Sequence, residues 1–131
     1  MDEQTTILVV YAIFIWLVVL HTFEEIASGV FDLEVRGHKP GKQRYLLAAS
    51  GISTLNMITL VLLILGLPAG YFVGLFTTAV FGVFQGIVHT VGYFREGRKA
   101  QGLGAGFYSA IPLTILGAVA FYLLANTVFG A

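Results

Sequence analysis

His21, Glu24 and Glu25 stand at i, i+3 and i+4 in the string HTFEE. On a helix that spacing keeps them within an arc of roughly 100°. Imidazole and carboxylate together suit a divalent ion, Zn first and then Fe or Mn, and with no sulfur ligand Cu(I) is disfavoured. A second imidazole, His89, completes a candidate metal set of His21, Glu24, Glu25 and His89. In that set the two imidazoles and one Glu bind the ion, and the other Glu serves as general base for a bound water. Glu24 and Glu25 are thus also the candidate catalytic residues. A two-metal arrangement with a bridging Glu would be short of the carboxylates that di-iron bundles supply.

The groups follow ILVVYAIFIWLVVL, which is almost pure hydrocarbon. The 131 residues are 57% hydrophobic and 11% charged, with a mean hydropathy of +0.88. A soluble domain carries about 25% charged residues. The expected fold class is therefore all-α: a polytopic membrane protein, one domain of four transmembrane helices, with spans at about 6–31, 45–65, 70–94 and 105–129. Absence of Cys removes disulfides and thiolate sites. Zero formal net charge gives nucleic acid no basic surface. The start, MDEQTT, has two acids and no base, unlike a secretory leader, so the first segment is expected to stay.

All seven Lys and Arg fall in two connections, 32–44 and 95–104. In a four-span chain these share one side, and positive residues mark the cytoplasmic side. Both termini then face outward, and the cell membrane is the expected location. Depth follows from this topology. His21 to Glu25 lie in the inner half of span one, and Gln85 and His89 reach a similar depth on span three. Early polar residues of spans two and four, including Ser53, Asn56 and Tyr108, approach the same level. Gln85, His89 and Tyr93 form an i, i+4, i+8 stripe, flanked by a small-residue stripe of Gly70, Gly74, Thr78, Gly82, Gly86 and Thr90. Such a stripe lets membrane helices approach closely. Asn56, Gln85, Ser53, Tyr93 and Tyr108 are accordingly expected around the metal set or the substrate. Tyr93 and Tyr108 also suit interfacial anchoring, and His38 reads as a solvated loop residue. Two carboxylates at mid-membrane cost very roughly 3 kcal/mol each on the insertion scale, so they must be protonated, hydrogen-bonded, paired with an imidazolium or bound to metal.

HTFEE in the first span, Asn56 in the second and His89 in the third resemble the HXXEE-domain family of small membrane proteins. Its His-x-x-Glu-Glu motif corresponds here to His21, Glu24 and Glu25. Members tend to carry a Tyr and a Pro-Gly pair before the last span and a Pro within it; Tyr108 and Pro112 are present, the Pro-Gly pair is not. The resemblance implies a small helical bundle and brings no substrate.

Chemistry comes from the residues. The leading expectation is a metal-dependent membrane hydrolase acting on a lipid-like or small amphipathic substrate that arrives from the bilayer or the cytoplasm. Buried Glu and His also form proton pathways, so a proton-coupled transporter is the alternative; four spans would then require a homo-oligomer. A non-catalytic subunit, in which the cluster fixes helix register, is the third reading.

Overall fold

The computed structural model describes residues 2–32, 41–98 and 102–130, and Arg36, His38, Lys39 and Lys99 lie outside the described residues. The described chain is all-helical: α1 (Glu3–Ala27), α2 (Gly41–Ile64), α3 (Pro68–Thr77), a π-helical stretch (Thr78–Phe84), α4 (Gln85–Arg95) and α5 (Phe107–Phe129). α3, the π stretch and α4 form one continuous rod, so four helices are long and apolar enough to cross a membrane.

Local chemistry moves the boundaries away from those expected. Asp2 caps α1 by accepting the Thr5 N–H, which starts the helix at Glu3. That bond holds the Asp2 carboxyl below its ordinary range. α1 stops at Ala27, short of Phe31, because Ser28 closes it and Gly29 turns into the left-handed region. α2 begins one turn before Tyr45, so Lys42 and Arg44 stand on its exposed first turn instead of in the loop. GLPAG carries a helix stop and a helix start together. Gly66 (φ +65°) permits the bonds from Leu67 N to Leu62 O and from Gly66 N to Leu63 O, and Pro68 opens α3.

The core lies along α1, where Tyr11, Phe14, Ile15 and Val18 meet Leu63, Leu75, Leu113 and Leu124. A polar node sits within it: the Tyr11 hydroxyl donates to Asn56 Oδ1 (3.0 Å) and lies 2.7 Å from Thr77 Oγ1. Large apolar side chains such as Trp16, Phe23, Leu47, Phe84 and Ile115 point outward, the surface such helices offer to lipid.

The π stretch has a packing role. Residues four apart drift by about 40° per step on an α-helix. The wider i→i+5 turn takes up that drift. Gly74, Thr78, Gly82 and Gly86 consequently all stay buried in one line, Gly82 against Gly117 of α5. That line sets the azimuth of the residues that follow, Gln85 and His89.

Candidate metal centre

α1 delivers His21 and Glu25 one turn apart, and α4 delivers His89. All three are buried, at 2%, 7% and 6% exposure. Their facing atoms make a small triangle: His21 Nε2 to His89 Nε2 is 3.2 Å, His89 Nε2 to Glu25 Oε1 is 3.2 Å, and His21 Nε2 to Glu25 Oε1 is 3.6 Å. A tetrahedral ion about 2.0–2.1 Å from each donor would space them roughly 3.3–3.5 Å apart. The triangle has the size of one face of such a site, and the three residues form a group able to hold a metal ion.

The outer nitrogens fix what those atoms present. His89 Nδ1 lies 3.1 Å from the Leu103 carbonyl, which can only accept, so Nδ1 carries the hydrogen. His21 Nδ1 lies 2.9 Å from Ser109 Oγ, whose single O–H donates to the Gly106 carbonyl. That hydroxyl must accept from His21 Nδ1–H. With both rings neutral, this leaves Nε2 as the unprotonated nitrogen of each, facing the Glu25 carboxylate. Three acceptors within 3.6 Å repel unless a cation or a proton lies among them. Gln85 provides partial relief, with its amide nitrogen 3.1 Å from His21 Nε2 and 3.4 Å from His89 Nε2.

Glu24 is elsewhere engaged. It is not one of the three residues of the triangle, although the motif suggested it as a ligand. Its Oε1 accepts the Tyr108 N–H (3.1 Å) and its Oε2 the Ser109 N–H (2.7 Å), so it caps α5 across the bundle. The two adjacent acids of HTFEE thus divide their work: Glu25 faces the imidazoles and Glu24 holds the helix that supplies Ser109. Replacing Glu24 by Ala should lower stability by about 1 kcal/mol, as lost caps do. Thermal unfolding in detergent measures this, and metal content per folded molecule should stay near that of the wild type.

The other expected neighbours scatter. Asn56 is bonded to Tyr11, away from the triangle, and Ser53 lines a groove on the outside of α2. Tyr93 stacks on Phe107 (centroids 3.9 Å, 6° between planes) and braces α4 against the start of α5, while Tyr108 is largely exposed. Tyr45, not singled out from the sequence, and Ser109, one of the early polar residues of span four, take their places. Tyr45 donates to Glu25 Oε2 at 2.7 Å, and Ser109 orients His21. Tyr45 was discoverable only from its depth near the start of α2, where tyrosine ordinarily reads as an anchor.

Beside the triangle is a cavity of about 120 Å³. His21, Glu25, Tyr45 and Gln85 give it a polar wall, and Val18, Ile52, Phe81 and Leu113 an apolar one. No family model, curated protein or solved structure matches this chain. The site has to be read from its own geometry.

Proposed function

We propose that the protein is a metal-dependent integral membrane hydrolase acting on a lipid-like or small amphipathic ester. The reading rests on one observation above the others: two imidazole lone pairs and a carboxylate oxygen converge at ion-sized spacing in a buried site. His21, His89 and Glu25 hold the ion, with Zn the first candidate and Fe or Mn next. The Gln85 amide nitrogen stands beside the triangle within hydrogen-bond reach of both imidazole Nε2 atoms. Ser109 and the Leu103 carbonyl keep the rings in the ligating tautomer. In this reading the bound ion supplies Lewis acidity and makes water a nucleophile near neutral pH.

The chain's own groups carry the protons. Glu25 would hold the ion through Oε1, which faces the imidazoles, and take the water's proton on Oε2, which faces Tyr45, as the water oxygen bonds to the acyl carbon and the carbon–oxygen bond to the leaving group breaks. Tyr45 gives its proton to the leaving oxygen and recovers one from Glu25 through their 2.7 Å contact. The products are an acid and an alcohol. The basic connections support a topology with this end of the bundle in the cytoplasmic half of the cell membrane and both termini outside. The transport reading is less well supported, because Phe14 and Val18 interpose hydrocarbon between the triangle and the Tyr11 node.

The test is metal content of protein purified in nanodiscs, followed by a screen of ester lipids. Near-stoichiometric metal and turnover are expected. Tyr45→Phe should keep the metal and lose about 100-fold in kcat, the scale of general acid catalysis. A folded wild type that takes up no Zn, Fe or Mn on reconstitution would sink the reading.

A further inference from the structure

The triangle's cavity has a neighbour on the lipid-facing side. Between α1 and α2 runs a groove of about 420 Å³, with Phe23, Ile26 and Leu46 among its walls and Ala49, Ser50, Ser53 and Thr54 among its floor residues. This volume falls within the range of about 300–1,000 Å³ usual for ligand sites. Thr22 and Ala49 line both the groove and the metal-side cavity. The partition between a lipid-facing groove and the buried triangle is thus one small side chain from each helix.

Why should such a groove stay open? Small residues on the floor leave a hollow that the large flanking side chains do not fill. Ser50, Ser53 and Thr54 add hydroxyls to this hollow. Lys42 lies on the same face of α2, one turn beyond Leu46 toward the helix start, and is exposed. Reading along that face gives a cation at the mouth, an apolar wall and then a hollow running into the bundle's span. The order matches an amphiphile with an anionic head and a hydrocarbon tail.

We propose that the α1–α2 groove binds the acyl chain of an anionic single-chain lipid, with its head at Lys42, and opens to the triangle between Thr22 and Ala49. Substrate then enters sideways from the bilayer. The proposal deepens the hydrolase reading by naming its substrate class and entry, and it rests on that reading only for the chemistry that follows binding. A second copy of the chain packing on α2 through its small residues is the competing occupant. Continuity with the cavity favours the lipid, since a packed helix would seal the partition.

The experiment uses a fatty acid bearing a mid-chain diazirine, irradiated with the full-length protein in zwitterionic nanodiscs and mapped by peptide mass spectrometry. Metal content is measured on the same samples. Labelling should concentrate on residues 19–26 and 46–54. Ser53→Trp, which fills the groove, should lower it about tenfold, equivalent to roughly 1.4 kcal/mol of contact. Lys42→Glu should weaken labelling by the acid and leave labelling by the matching fatty alcohol unchanged. Uniform labelling of all lipid-facing helices, or labelling indifferent to Ser53→Trp in a folded variant, would overturn the proposal. So would efficient Ser53→Cys disulfide cross-linking between copies together with no groove labelling. Groove labelling in a protein that binds no metal would leave the groove standing and remove the hydrolase; metal without groove labelling would do the reverse.

Discussion

Glu25→Gln is expected to cost more than about 100-fold in metal affinity, whereas Glu24→Gln, one residue away, is expected to leave affinity near wild type. Loss of an outer partner alone costs metal sites about 10–100-fold, so loss of a ligand sets a larger scale. Glutamine keeps the length and shape of the side chain and can still accept from Tyr45, so Glu25→Gln removes charge without opening a hole. The amide NH2 would then face the two imidazole nitrogens at 3.2 and 3.6 Å, donating to the lone pairs that should hold the ion as well as removing the ligand charge. At Glu24 the partners are two backbone N–H groups, and a glutamine oxygen can accept only part of what a carboxylate does. Its penalty therefore falls on the α5 start and reaches the triangle only through Ser109. His21→Ala and His89→Ala should match Glu25→Gln in metal loss. Competitive chelator titration of folded protein separates the two outcomes. Equal losses at Glu24 and Glu25 would return the motif to a shared two-carboxylate site and contradict the geometry described here.

That division of labour shows what a sequence discloses about such a site and what it withholds. The four spans were legible because hydrocarbon runs of membrane length admit few other structures. His21 and His89 could be brought together on paper because depth follows from topology at about 1.5 Å per residue. Azimuth is finer. Glu24 and Glu25 differ by about 100°, and the partner that captures Glu24 is backbone, which no side-chain pattern announces. Asn56 looked close because α2 appeared to begin at Tyr45. With the helix starting at Gly41, Asn56 lies deeper, opposite Tyr11, which is about 15 Å up α1 from His21. Tyr45 takes the level that Asn56 had seemed to hold. The π stretch was also hidden, since TAVFGVF has nothing to distinguish it from an ordinary apolar turn. Yet it determines which face of α4 carries His89.

A large loss of stability, transmitted to the triangle, should come from the crossing that this stretch makes with α5. A Cβ built on Gly82 would lie 2.9 Å from Gly117 Cα, and one built on Gly117 would lie 2.8 Å from Gly82 Cα. Both obstacles are backbone. No rotamer change relieves them, so the helices must separate. Gly82→Ala should cost about 1–3 kcal/mol, the range for overpacking, and Gly82→Val should exceed it. Separation would also move His89, two turns along the same rod, away from His21 on α1. Metal affinity should therefore fall with stability in Gly82→Val, although the substituted residue touches no ligand. Gly51→Ala is the matched control: it is another helical glycine with nothing within 4 Å of the added carbon. There the gain in helix propensity of about 0.5–1 kcal/mol acts alone, and the melting temperature should hold or rise. A melting temperature for Gly82→Val equal to that of the wild type would mean that α5 does not cross the rod at this point. The placement of Gln85 and His89 would then need another cause, because their azimuth depends on that contact.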